Sequence, residues 1–397
     1  MQATQKRFTS RLIAVFAVLA MVVAACGGDA GEDTTTTAAT GDDTTTTADD
    51  GATTTLSDDG EMTTTTESEM MAMPGEGVEV TLGRATWNTG YMQSQIFKQL
   101  LEELGYTVSD PANLEVGAAQ FYPALAQGEA DFWANGWFPL HTPILDTELP
   151  DGSTAEDHIT PVGLQVEAGA LQGYLMDTAT IEAEGITSMA DLEDPDVAAV
   201  FDTDGNGLAN LIGCDDGWGC NQQIEAHING GEGVEPLGWG ENVEQVVGQY
   251  SALMADVQSR VQQGEPVLYY TWTPNWTVDV LPPGDTVMWV ESPEQSDVEG
   301  QTTVEGLEGC TGDPCQMGWT PNDIRVVANN EFLDANPAAQ AVFEAVEIPL
   351  SDIAAQNAEM NAAATSAESD VAEDASDWIE ANRDLVDEWL ETARSAG

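Results

Sequence analysis

From Val78 to the C-terminus the chain alternates short runs of branched and aromatic residues with longer amphipathic runs, a rhythm that restricts it to helices layered on sheets. VEVTL (Val78–Leu82) precedes a helical run from about Tyr91 to Leu104 that stops at Gly105. LEVG precedes FYPALAQG, and ADFWAN precedes the proline-bearing HTPIL. The pattern continues through AAVFDT, the amphipathic stretch Asn242–Gln263, PVLYYTW, and IRVVAN followed by NPAAQAVFEAV. It predicts an α/β chain whose parallel sheets carry helices on both faces. The last segment, Ser351–Ala396, is helical by composition, with Trp378, Ile379, Leu385, Trp389 and Leu390 spaced to share one face. At about 320 residues this body exceeds one typical core, so two domains are expected.

What precedes the body has a different character. Lys6, Arg7 and Arg11 stand before an apolar run, Leu12–Val23, that ends in VAAC at Cys26. This is the pattern of a signal peptide over residues 1–25, and the run is too short for a permanent membrane span. Small residues before a cysteine resemble the lipobox of bacterial lipoproteins, which implies cleavage before Cys26 and a lipid on its sulfur; an uncleaved anchor is the alternative. Residues 26–75 are then Thr blocks, Asp, Glu, Ala and Gly, with almost nothing to bury against their ordering entropy. They read as a disordered tether, its threonines open to glycosylation, holding the body off the outer face of the cytoplasmic membrane.

Charge narrows the partners. The chain has 9 Lys and Arg against 70 Asp and Glu, and three of those cations lie in the leader. Nucleic acid and anionic lipid surfaces are therefore poor partners. Four cysteines remain after Cys26, an even number in an exported chain, so disulfides are the default. Short spacing favours Cys214 with Cys220 and Cys310 with Cys315, although three pairings are possible and a four-cysteine zinc site competes.

Three stretches place tryptophan among turn residues: NGWFPLH (Asn135–His141), GCDDGWGC (Gly213–Cys220) and YYTWTPNW (Tyr269–Trp276). In open α/β sheets ligands sit beyond the carboxyl ends of strands, which is where ADFWANGW and PVLYYTW put Trp137 and Trp272. A quaternary ammonium has no N–H to donate, so acceptors cannot grip it; π faces can, each for about 0.5–1 kcal/mol exposed and about 2 desolvated. If the ligand also bears a carboxylate, a tight loop with converging N–H groups at Gly219 and Cys220 would receive it, and His141 would add a donor.

In order, NGWFPLH, AGALQGYLMD, FDTDGNGLANLIGCDDGWGC, YYTWTPNW and IPLSDIAAQNAEM resemble the periplasmic glycine betaine and proline betaine-binding proteins (ProX type, with an OpuAC-like substrate-binding domain) of osmoprotectant ABC importers. The likeness covers the body from about Gly75 to the end. It implies a two-lobe periplasmic-binding-protein fold of type II, each lobe a sheet flanked by helices, with ligand in the cleft between them. The lobes are expected at residues 76–176 plus 322–397 and at 177–321. By the same resemblance, Trp137, Trp218 and Trp272 box the methylated nitrogen, His141 and the amides of Gly219 and Cys220 meet the carboxylate, and Cys214 pairs with Cys220. It further implies a monomeric receptor with no cofactor that delivers its ligand to a membrane permease. The chain departs from the family at Phe138, where a threonine is usual, at the acidic Asp215–Asp216 pair, and in the added Cys310–Cys315 pair.

Other readings stand beside this one. The remaining tryptophans, Trp87 and Trp133 among them, read as core or structural residues, as do His158 and His227. DTDGNG (Asp202–Gly207) opens like a calcium loop, but Gly213 occupies the position of the bidentate glutamate, which favours a plain acidic turn. A carbohydrate-binding or hydrolytic protein would also show indoles over acidic residues. With 70 acids, however, no carboxylate pair is diagnostic, and GxSxG, HExxH and GxxxxGK[ST] are all missing from the sequence.

Overall fold

The structure is a computed structural model that describes residues 45–47, 52–56, 62–66, 73–231, 235–293, 303–363 and 368–397. The segment expected to be a signal peptide, residues 1–25, and Cys26 lie outside the described residues. Within the segment expected to be a tether, Thr45–Thr47, Ala52–Leu56 and Met62–Thr66 pair antiparallel in a three-stranded sheet. That departs from the expectation of no regular structure; the β-branched threonines that fill these strands favour extended backbone.

The body is built on two sheets. One orders Leu82–Gly83, Phe132–Phe138, Asn322–Asn329 and Ile159–Ala170; the other orders Val243–Val246, Ala209–Ile212, Leu268–Trp272, Gln172–Asp177 and Val287–Val290. Both sheets are mixed, which corrects the expectation of parallel ones. Leu82–Gly83 runs parallel to Phe132–Phe138, and Ala209–Ile212 runs parallel to both of its neighbours. The strands flanking the crossovers, Ile159–Ala170, Gln172–Asp177 and Asn322–Asn329, pair antiparallel with theirs. Gln172–Asp177 pairs with Leu268–Trp272 in the second sheet, so a division at residue 176 cuts through a strand; the chain crosses over at Leu171.

Local readings shift for similar reasons. AAVFDT is not a strand: Pro195–Ala198 is helical and Ala199–Phe201 continues as a 3₁₀ turn. Asn242–Gln263 is not one helix, because Val243–Val246 pairs beside Ala209–Ile212 before the helix Tyr250–Gln263 begins. LEVG forms only a single bridge, Arg84 to Glu115. The C-terminal segment folds as three helices, Leu350–Ala363, Glu368–Ala381 and Arg383–Ala396. Val386, Trp389, Leu390 and Ala393 make the buried stripe of the last one, and Arg383 clamps Glu103 of the helix Thr89–Glu103 with two hydrogen bonds of 2.8 and 2.7 Å. Among the described residues no helix is long and apolar enough to cross a membrane.

Both short-range cysteine pairs are disulfides, Cys214–Cys220 and Cys310–Cys315, which removes the zinc alternative. In DTDGNG, Asp202 accepts N–H groups from Gly205, Asn206 and Gly207 at 2.7, 3.2 and 2.9 Å, so the turn is held by its own backbone. Among the described residues no group of three or more His, Cys, Asp or Glu is disposed to hold a metal ion.

Candidate ligand site

Strand ends from both sheets meet at one cavity, lined by Trp87, Trp137, Leu140, His141, Gln172, Trp218, Gly219, Cys220, Tyr270 and Trp272. All six residues singled out from the sequence as ligand contacts are among them. Trp137 arrives on Phe132–Phe138 of the first sheet, and His141 follows at the entrance to the short helix Thr142–Leu145. Trp272 ends Leu268–Trp272 of the second sheet. Trp218 is the residue before the helix Gly219–Asn229, which follows Ala209–Ile212. The rings are not turned out to solvent as loop residues: Trp137 is 4 % exposed and Trp87, Trp218 and Trp272 are each 5 % exposed.

Three of the rings form a corner. Trp87 and Trp218 lie 5.2 Å apart at 68°, and Trp218 and Trp272 lie 5.8 Å apart at 79°. Tyr250 backs Trp272 at 4.8 Å and Trp218 at 5.8 Å. The indole N–H groups are spoken for: Asn135 Oδ1 accepts from Trp87 at 2.6 Å and from Trp137 at 2.8 Å, Thr86 accepts from Trp218 at 2.7 Å, and Thr89 accepts from Trp272 at 3.2 Å. With their polar edges engaged there, the rings have only π surface to offer a ligand. Thr86 and Thr89 follow the first sheet, whereas Trp218 and Trp272 follow the second, so these bonds also join the two halves around the cavity. Thr89 donates in turn to the carbonyl of Pro274 at 2.9 Å.

The polar side of the cavity presents donors. His141 is buried, and burial lowers its pKa to about 3, so the imidazole is neutral. Its Nδ1 lies 3.2 Å from the Trp137 N–H that donates to it and 2.9 Å from the Tyr122 hydroxyl. An accepting Nδ1 leaves the proton on Nε2, which makes that atom a donor. Gly219 and Cys220 open an eleven-residue helix, where the first N–H groups have no intrahelical acceptor and the helix dipole is positive. Gly219 must be glycine, since a Cβ there would lie 2.9 Å from Leu140 Cγ and 3.0 Å from His141 Cδ2. The Cys214–Cys220 bridge ties this helix start to the end of the preceding strand, and the loop between turns through Gly217 at φ +83°.

Among the described residues no carboxylate lines this cavity, although the chain has 70 acids. Asp215 accepts the Tyr250 N–H at 2.8 Å and, with Glu115, lines an adjoining cleft that shares Trp87, Trp218 and Trp272 with this cavity; Asp216 is exposed. Neither member of the acidic pair that departs from the family is in this cavity's own lining, but Asp215 borders the neighbouring one. Trp87, Leu140, Gln172 and Tyr270 were not foreseen. Trp87 carries the same signal as the others, a tryptophan just past a strand end and before a helix; it packs in the core, as expected, and also borders the cavity.

The profile of the substrate-binding domain of ABC-type glycine betaine transport systems (OpuAC) matches residues 78–381. The chain belongs to that family. Among curated OpuAC relatives, the glycine betaine/proline betaine-binding periplasmic protein of Salmonella typhimurium is 36 % identical over 324 residues, covering 82 % of this chain and 92 % of the relative. Two solved structures share the fold. ProX of Borrelia burgdorferi, a glycine betaine and L-proline-binding protein, aligns with a TM-score of 0.59 at 17 % identity over 80 % of this chain and 99 % of that one. Lactococcal OpuAC, in its closed-liganded conformation with glycine betaine, aligns with a TM-score of 0.54 at 17 % identity over 79 % of this chain and 99 % of that one. The two-sheet body is thus the two-lobe fold of periplasmic binding proteins, and OpuAC members bind a substrate for transport rather than transform it.

Proposed function

We propose that this protein captures glycine betaine, or the related proline betaine, between its lobes and hands it to the membrane permease of an osmoprotectant ABC importer. The observation that carries this reading is a cavity walled by indoles, supplied with donors and free of carboxylates. A simple cation such as an ammonium would call for acidic partners; a methylated zwitterion calls for ring faces at one end and donors at the other. In this reading Trp137, Trp218 and Trp272 enclose the methylated nitrogen, with Trp87 as a fourth wall. His141 Nε2 and the N–H groups of Gly219 and Cys220 receive the carboxylate. Three desolvated rings at about 2 kcal/mol each supply about 6 kcal/mol, less than the roughly 8 kcal/mol that micromolar binding requires even before the cost of association, so the carboxylate contacts must supply the rest.

Titrating tryptophan fluorescence with glycine betaine, choline and oligosaccharides tests the assignment. Saturable quenching by glycine betaine is expected, and quenching by oligosaccharides alone would overturn it. Trp218→Ala should weaken betaine binding by at least about 1–2 kcal/mol with the fold intact, and an unchanged dissociation constant would remove Trp218 from the cage.

The receptor is further proposed to work as a monomer anchored at the outer face of the cytoplasmic membrane through lipid on Cys26. The leader pattern and the periplasmic location of the curated relatives support this placement. Mass spectrometry of the mature N-terminus should find a diacylglyceryl cysteine, and Cys26→Ser should release the protein from the membrane fraction. A Cys26 found without lipid in the membrane-bound protein would sink the anchor.

A further inference from the structure

Gln172 lines the same cavity and is 1 % exposed. Its Oε1 accepts the Tyr270 hydroxyl at 2.6 Å, while its Nε2 is buried with no hydrogen-bond partner. Burial pushes the Tyr270 phenol well up, so the hydroxyl keeps its proton and can make this donation. Gln172 pairs directly with Trp272 across the antiparallel strands, so the amide stands beside a wall of the proposed cage. A buried amide N–H left without an acceptor is costly, and a polar residue in a strand that is buried along its whole length asks for a reason.

We propose that Gln172 is a specificity-determining residue that donates from Nε2 to an anionic oxygen of the bound ligand, selecting carboxylate-bearing betaines over quaternary ammonium alcohols. The inference rests on the betaine reading given above. A quaternary ammonium group cannot satisfy this donor, because it has no lone pair. A carboxylate can, through a charge-assisted bond, whereas the single neutral hydroxyl of choline is a weaker acceptor. Tyr270 acts as a positioning residue, since its hydroxyl holds the amide in the donating orientation.

Calorimetric titration of the full-length protein with glycine betaine and with choline tests this. Gln172→Met keeps the length and loses the donor; it should weaken glycine betaine roughly 10–100-fold and choline less than about threefold. Gln172→Glu puts a negative charge at the same place and should reverse the preference toward choline. Tyr270→Phe should move the ratio of the two affinities in the same direction as Gln172→Met, by less. Equal weakening of both ligands, or an unchanged ratio in a folded Gln172→Met protein, would overturn the assignment while leaving the betaine reading in place. A wild-type protein that binds no glycine betaine would overturn both.

Discussion

Seven of the buried tryptophans fall into two sets that differ in what their N–H groups do. Around the cavity, Trp87, Trp137, Trp218 and Trp272 each donate to a side-chain oxygen of Asn135, Thr86 or Thr89. In the interior, Trp133, Trp239 and Trp319 bury an indole N–H that has no partner. Each set also holds a histidine: His141 lies edge-on to Trp87 at 6.1 Å, and His227 sits 5.0 Å from Trp319. Close packing alone fixes the interior rings, and an unsatisfied donor is the cost of that solution. Rings bordering an empty space have no packing on one side, so polar tethers must fix them.

The contrast is most severely tested at Trp239, which is fully buried. Trp239→Ala should cost about 3–5 kcal/mol of stability, measured by chemical denaturation, while the folded fraction binds betaine with unchanged affinity. Loss of affinity without loss of stability would erase the distinction between the sets. The next effect comes from acid. Burial lowers both His141 and His227 from 6.5 to about 3, so below pH 6.5 the unfolded chain takes up protons that the folded chain refuses. Stability is complete above pH 6.5 and declines as pH falls from there toward 3. Between pH 6.5 and 5 the pair should lose roughly 3 kcal/mol in all. His227→Gln should remove about half of that dependence, and a flat profile in the wild type would show that neither imidazole is kept neutral by folding.

Smaller changes probe the tethers. Asn135→Leu strips the acceptor from two indoles at once and should weaken betaine binding by about 2 kcal/mol by calorimetry. Thr86→Val frees only Trp218 and should cost about 1 kcal/mol of affinity, with unfolding little changed. If either variant binds like the wild type, packing holds the cavity rings too. Trp239→Phe deletes a donor that had no partner, so stability should fall only by the roughly 1–2 kcal/mol that the lost ring volume costs, and a larger loss would mean that the N–H is satisfied after all.

What the sequence made legible follows from which forces leave local marks. Turn residues around Trp137, Trp218 and Trp272 are local, as are the short cysteine spacings, and the cavity collects all three rings with both ends of one bridge nearby. Family likeness carried the two-lobe fold. Strand direction left no such mark: GALQGYLMD looks the same whether its neighbours run with it or against it, and the antiparallel pairing of Gln172–Asp177 comes from a long-range crossover. AAVFDT failed because four apolar residues fit a buried helical turn as well as a strand. Gln172 was passed over although a lone glutamine amid an apolar run is a visible anomaly. Its partner, Tyr270, lies 98 positions away, so its unused donor shows only in three dimensions.

One hydroxyl carries a last implication. Thr89 accepts a hydrogen bond from the Trp272 N–H and donates its own O–H to the Pro274 carbonyl, reaching from one half of the body to the other. A movement that parted the halves would have to break these two bonds, and the Trp272 ring at the cavity wall would lose this tether. If the halves part to admit or release a ligand, this one hydroxyl would couple that parting to the freedom of a wall of the cavity.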